Sequence, residues 1–310
     1  IKTNQNILTK SKDKKEFSQF IRSNEIKQKM KSDSHIDQID LNEFIISRNL
    51  SFYDKVEYFK VDHERSKLKL IAKTAESPTK DVLKIKKMIK EANILKSFDS
   101  QFIIKCKGIN LAGIDYKQSP TIIMEYVSDI KLSDIIYKDN QKEKTVELTE
   151  LQKLKIIYGI ATGMSHVHSK GIIHRKLAPK NIFLDEYLLP KICNFESSII
   201  LNEKEEVEEE EKEYIITVNP RYFAPEILSE DEYDQSVDVY AFGVILYDLT
   251  SKELFKIRVR DILRGKIPPI NNNVPKFYAD LISKCLSFEP KQRPTFDEII
   301  SIIKTNQNIL

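Results

Sequence analysis

Residues Ile172 to Ser197 read IIHRKLAPKNIFLDEYLLPKICNFES. The spacing of apolar and polar residues suits a loop, a short hairpin and a second loop. His174, Arg175, Lys176 and Asn181 fall in the first loop, and Asn194 and Glu196 in the second. Lysine as an ammonium can only donate, and asparagine carries no charge with which to hold a metal ion. Lys176 and Asn194 therefore offer neither a proton acceptor nor a charged metal ligand, and Glu196 is the one carboxylate of the two loops.

His174-Arg175-Lys176-Leu177-Ala178-Pro179-Lys180-Asn181 resembles the catalytic loop of eukaryotic protein kinases, HRDLKPEN, and Asn194-Phe195-Glu196 resembles their DFG triplet. In that family the loop's Asp accepts the proton of the substrate hydroxyl, while its Asn and the DFG Asp hold Mg²⁺ on the phosphates. The resemblance puts Lys176 at the base position, Asn194 at the metal-binding Asp and Glu196 at the Gly; Asn181 is kept. It implies an α+β, bilobal protein-kinase-like fold, with a small antiparallel β-sheet lobe bearing helix C and a larger, mainly helical lobe. The lobes are expected over 42–124 and 131–304, with a hinge at 125–130 and flanking segments 1–41 and 305–310.

Upstream, runs such as FII, VEYFKV and LKLIAK between polar turns read as antiparallel strands. The best match to the family's Gly-rich loop is Asn49 to Val56, NLSFYDKV, in which Tyr53 and Val56 fit but all three glycines are replaced. Backbone N–H groups approach phosphates most closely where no Cβ intervenes, so the grip on phosphate is expected to be weak. Lys73 matches the third-strand Lys, and Glu91, 18 residues on, its helix C partner. Ile85, Met88, Ala92 and Leu95 form the core stripe of that helix. Ile71 stands where the family has Ala and would crowd an adenine. Met124 falls at the gatekeeper, backbone groups of Glu125 to Val127 would meet adenine, and the resemblance adds Phe183 to the nucleotide-facing positions.

Downstream, Thr149-x-x-Gln152 is a capping box for a long helix carrying Leu151, Leu154, Ile157, Ala161, Met164 and His168. Ala224-Pro225-Glu226 resembles the APE motif, Asp238 the Asp of helix F, and Arg293 the partner of Glu226. Thr295-x-x-Glu298 caps the last helix. The motifs cover Phe44 to Lys304 in order, and the CLSFEPKQRPTF ending is most similar to tyrosine-kinase-like members. Leu95, His174 and Phe195 match stacking positions of the family's regulatory spine. Glu203–Glu213, EKEEVEEEEKE, carries eight Glu in eleven residues and reads as a solvated run; the alternative is that it stands in for a phosphate on Arg175.

The chain has 310 residues, 41% of them hydrophobic, and a net charge of +3, which argues against a dedicated nucleic-acid binder. Cys106, Cys193 and Cys285 form neither a metal pattern nor a disulfide framework, and no apolar run is long enough to cross a membrane. A cytoplasmic protein is expected. Lys10 to Lys31, with eight basic and three acidic residues, reads as a linker with some helix. IKTNQNIL stands at both Ile1–Leu8 and Ile303–Leu310, which suggests a piece of a tandem repeat.

A base contributes roughly 10²–10⁴ in rate and one electrostatic stabiliser roughly 10²–10³. The resemblance, with these losses, implies a pseudokinase: a signalling scaffold or interaction module that uses Mg-ATP weakly or not at all. ATP is then a weak ligand and Mg²⁺ a doubtful one, and the partners are proteins, such as another kinase or neighbouring repeat units. The alternatives are a slow atypical protein kinase acting on Ser, Thr or Tyr, and a nucleotide-gated binding module.

Overall fold

The computed structural model describes residues 38–53, 56–75, 82–111, 119–137, 148–201, 219–251 and 254–305, the side chains of 51–53, 56, 82 and 83 excepted. The repeated termini, the basic segment 10–31, the tip of the 49–56 hairpin and the acidic run 203–213 lie outside the described residues, as does most of the segment from Asp139 to Leu148, whose polar sequence reads as a surface insertion. Contacts divide the chain into two units: Ile1–Asp99 with Ile104–Tyr126, and Ser100–Ile103 with Val127–Leu310.

The first unit is an antiparallel sheet of five strands, β1 (Phe44–Tyr53), β2 (Val56–His63), β3 (Lys69–Ala75), β4 (Cys106–Asn110) and β5 (Thr121–Glu125), in the order β1-β2-β3-β5-β4. Side chains alternate between faces along a strand. Phe59, Val61, Leu70, Ala72 and Ile123 therefore form one buried face, which Ile39, Leu41, Phe44 and Ile46 cover. The segment before β1 also closes the sheet's β4 edge: Ile39 N–H donates to Ile109 C=O, and Asn110 Nδ2 to Ile39 C=O (2.6 Å). An edge covered in this way cannot pair with a further strand. Ile71 and Lys73 occupy the opposite face of β3, and helix α1 (Val82–Lys96) meets that face through Glu91. The expected stripe of Ile85, Met88, Ala92 and Leu95 is buried throughout.

The second unit is mainly helical. A short helix, α2 (Leu132–Ile136), precedes the long α3 (Glu150–Ser169). Thr149 and Gln152 form the expected reciprocal cap of α3, at 3.2 and 2.8 Å. Leu151, expected on its buried stripe, is exposed instead: it lies in the first turn, and the helix's buried residues begin at Leu154. Then follow β6 (Ile172–Ile173), the hairpin β7 (Ile182–Leu184) and β8 (Pro190–Ile192), and β9 (Ile199–Ile200), which pairs with β6. The hairpin comes close to α3 at Gly163, where a Cβ would lie 2.8 Å from Ile192 Cδ1. Helices α4 (Pro225–Leu228), α5 (Ser236–Thr250), α6 (Val259–Ile262), α7 (Lys276–Cys285) and α8 (Phe296–Thr305) complete the unit. Val237 to Leu249 of α5 are all buried, as in a helix surrounded by neighbours. Gly243 lets α7 approach, since a Cβ there would lie 2.8 Å from Cys285 Cβ.

Glu226 and Arg293 pair as expected, and both are buried. The guanidinium grips both carboxylate oxygens, and its other N–H groups donate to the carbonyls of Ser287, Ser236 and Phe288. All five donors are thus used, and the group lies over the Tyr240 ring at 5.2 Å. Arg293→Met would leave a buried carboxylate without its cation, so a loss of about 3–5 kcal/mol is expected in urea denaturation. Arg293→Lys keeps the charge but not the fork and should recover only part of it; wild-type stability in that variant would count against this account.

Candidate functional site

The geometry of the first loop begins with Asp238 on α5. Its Oδ2 accepts from His174 N–H (2.8 Å) and its Oδ1 from Arg175 N–H (2.9 Å), while His168 Nε2 lies 3.0 Å from Oδ2. Two consecutive backbone donors held by one carboxylate leave the chain little freedom. Arg175 adopts a left-handed backbone (φ 63°), which costs a non-glycine residue about 1–2 kcal/mol, and these bonds offset it. Its guanidinium donates from Nε to Ser197 C=O and from Nη1 to Tyr233 Oη (3.1 Å).

His174 is fully buried. Lys176 N–H donates to its Nδ1 (3.1 Å), so the ring proton sits on Nε2 and is given to Cys193 C=O (3.1 Å). Burial, followed by the nearby Lys176 charge, holds its pKa below the ordinary 6.5, against the pull of Asp238. The neutral ring packs edge-on against Phe195, centroids 4.6 Å apart. Neither His168 nor His174 is arranged as a metal ligand, since both have protein partners.

Lys176 and Glu196 come together: Nζ donates to Oε1, with the Lys side chain 1% and the Glu side chain 22% exposed. The two asparagines meet beside them. Asn181 Nδ2 donates to Lys176 C=O (2.7 Å), which can only accept, so the orientation of the Asn181 amide is fixed and its Oδ1 faces Asn194. Asn194 then has to present Nδ2, and it does so at 3.2 Å. Asn194 is also left-handed (φ 69°), a conformation Asn tolerates better than most residues.

In the first unit, Lys73 Nζ and Glu91 Oε2 are 2.6 Å apart and both groups are buried. Ile71 and Met124 are buried and face each other in the β3–β5 register. Glu125 gives its N–H to Lys105 C=O (2.9 Å) and takes the Lys105 N–H on Oε1 (3.0 Å). Val127 is half-buried and begins the longer of the second unit's two stretches. Phe183 is buried in β7 with Lys131 Nζ 5.3 Å from its ring centre. The Val56 side chain lies outside the described residues.

Sequence reasoning missed a second buried polar cluster. Asp248 accepts from Phe255 N–H (2.7 Å), Arg221 Nη2 (3.0 Å), Tyr222 Oη (3.2 Å) and Tyr137 Oη (3.3 Å). Burial raises the pKa of Asp248 despite those donors, and burial also pushes the Tyr137 phenol up to about 12. No local pattern marks these residues, which lie on four separate segments.

Burial alone would raise the Asp238 pKa, but the contact with His168 and the bond from the His174 N–H together bring it below its ordinary value. A depressed pKa gives stability that is full above the unfolded value and is lost as pH falls through the folded one. Asp238→Asn should therefore cost about 2–3 kcal/mol at pH 7 and flatten the loss of stability below pH 4; an unchanged acid limb in urea titrations would refute the assignment. For the Lys176–Glu196 pair, a double-mutant cycle of Lys176→Met and Glu196→Gln should give a coupling of about 1–2 kcal/mol, and additive losses would mean no working pair.

Residues 52–303 match the family model for protein tyrosine and serine/threonine kinases. The chain is 31% identical over 243 residues to the probable serine/threonine-protein kinase kinY of Dictyostelium discoideum, covering 71% of this chain and 40% of that protein. It is 30% identical to the dual specificity protein kinase pyk3 of the same organism (71% of this chain, 16% of that protein) and 30% identical to the tyrosine-protein kinase receptor svh-2 of Caenorhabditis elegans (71% and 20%). The chain thus spans well under half the length of these relatives. With the five-stranded antiparallel sheet and the helical second unit in place, the chain belongs to the eukaryotic protein kinase family.

Proposed function

We propose that this protein kinase domain acts mainly as a pseudokinase, an interaction module for other proteins in which phosphotransfer is weak or absent. The observation that carries the reading is the Lys176–Glu196 ion pair at the base position. An ammonium already donating to a carboxylate has no lone pair with which to take a hydroxyl proton. A hard divalent cation fits the neighbouring donors poorly: Asn194 directs an N–H, not a carboxylate oxygen, at Asn181 Oδ1, the oxygen a metal would need. The proposed boundaries are a domain over 42–304 with a hinge at 125–130. Among the described residues no helix is long and apolar enough to cross a membrane; protein partners in the cytoplasm accord with the reading.

A slow kinase is the second reading, favoured by the buried Lys73–Glu91 pair at 2.6 Å and by the retained Asn181. Radiolabelled ATP separates the two. The wild type should transfer no phosphate above a Lys73→Met control, whereas Lys176→Asp with Asn194→Asp and Glu196→Gly should gain at least about 10² in rate. Wild-type transfer that Lys73→Met abolishes would establish the slow kinase.

Metal response gives a further check. ATP should raise the melting temperature little, and equally with Mg²⁺ or EDTA. In Asn194→Asp a carboxylate would face Asn181 Oδ1 with no proton between them, so that variant should be less stable in EDTA and regain stability on adding Mg²⁺. A wild type stabilised strongly by Mg²⁺-ATP and not by ATP alone would overturn the metal argument.

A further inference from the structure

Leu254 to Pro268 read LFKIRVRDILRGKIP, with five basic residues and a single acid, Asp261. Lys266 lies 3.5 Å from Asp261. The other four, Lys256, Arg258, Arg260 and Arg264, are exposed and have no acidic partner among the described residues. A groove of about 500 Å³ is lined by Lys256, Arg258 and Lys266 together with Asp261, Ile257 and Ile267. Beside it, Val259 and Leu263 stand one helical turn apart and are exposed, as is Phe288, which lies over Gly265. Such a surface combines unneutralised cations with an apolar strip, so it suits an acidic segment that also carries an aliphatic side chain.

The chain itself holds such a segment. Glu203–Glu213, EKEEVEEEEKE, has eight Glu around a single Val207. Beyond it in sequence, Arg221 Nη1 donates to Phe255 C=O (3.1 Å). The chain that follows the acidic segment in sequence is therefore held, at Arg221, beside the residue that precedes Lys256. Five residues separate Glu213 from Asn219, so that the six steps of chain reach at most about 20 Å. Arg175, the other cation considered for this segment, already donates to Ser197 C=O and Tyr233 Oη.

We propose that the surface of Lys256, Arg258, Arg260 and Arg264, with Val259 and Leu263, is the docking site of the acidic segment Glu203–Glu213 of the same chain. Each exposed ion pair is weak and salt-screened, so the tether is what makes the contact effective. A short linker presents its segment at an effective concentration on the order of 1 mM. If the free peptide binds with a Kd of about 100 µM, the tethered copy occupies the surface about ten times as often as it leaves it.

The test uses the whole chain and a fluorescent peptide, EKEEVEEEEKE. A variant with the eight Glu changed to Gln should bind the peptide at about 100 µM in low salt, and wild type about tenfold more weakly because its own segment competes. High salt should weaken binding to the variant and narrow the gap. A variant carrying Lys256→Gln, Arg258→Gln, Arg260→Gln and Arg264→Gln should bind the peptide neither with nor without the Glu run. Melting temperatures check that each variant folds, and a salt titration of wild type, read by amide exchange over Arg258–Leu263, needs no substitution; exchange there should rise with salt. Equal binding to wild type and the Glu-to-Gln variant, or binding to neither, overturns the proposal. So does a peptide gap that appears only at concentrations where wild type dimerises, since the occupant would then be a second copy.

Discussion

The carboxylate of Asp238 is the constraint from which the site's geometry follows. Buried on α5, it receives the N–H groups of two consecutive loop residues and a bond from His168. Those contacts set the left-handed turn at Arg175, and the turn directs the His174 ring inward, where the Lys176 N–H decides its tautomer. The ring then packs on Phe195, so the second loop is located by the first. Replacing Asp238 would orphan two buried donors at once, a larger penalty than the loss of one hydrogen bond.

This arrangement explains how the chemical residues changed while the frame stayed. Lys176, Asn194 and Glu196 lie next to the anchored atoms but do not supply them: the bonds to Asp238 and to Cys193 C=O come from backbone groups and from the His168 and His174 rings. Relative to the HRD and DFG motifs, Lys for Asp adds two units of positive charge, Asn for Asp adds one and Glu for Gly removes one. The pairing of Lys176 with Glu196 neutralises the new charges locally and leaves the two asparagines to satisfy each other. A buried lysine without that partner would be strongly destabilising, so these substitutions are best understood as one coupled change.

How much the sequence disclosed depended on whether a contact follows from a motif. Lys73 with Glu91, Glu226 with Arg293 and the two capping boxes were legible, because fixed spacing or a known motif names both partners. The direction of the Asn181 amide was not legible: it is set by which neighbouring group can only accept. Leu151 fitted the helical period yet is exposed, since periodicity gives a face and not the extent of what covers it. The Tyr137–Arg221–Tyr222–Asp248 cluster left no trace in any one window, being a property of tertiary packing alone. By contrast the basic run KIRVRDILRGK was in plain view, and a charge count over that window would have marked it.

That cluster bears on the chain's acidic segment as well. Burial holds the Tyr222 phenol protonated well past neutrality and pushes the Tyr137 phenol to about 12, so neither phenol adds a charge to the cluster at physiological pH. Arg221 thus meets one acid in the cluster while its other nitrogen is given to Phe255 C=O, and Phe255 N–H returns to Asp248. The loop bearing Phe255 and the 3₁₀ turn bearing Arg221 are therefore closed into one ring of hydrogen bonds through a buried carboxylate. The placement of Pro220–Tyr222 is fixed by that ring and not by the charge of the residues that precede it in sequence, so substitutions in the Glu run can alter docking without moving its point of attachment.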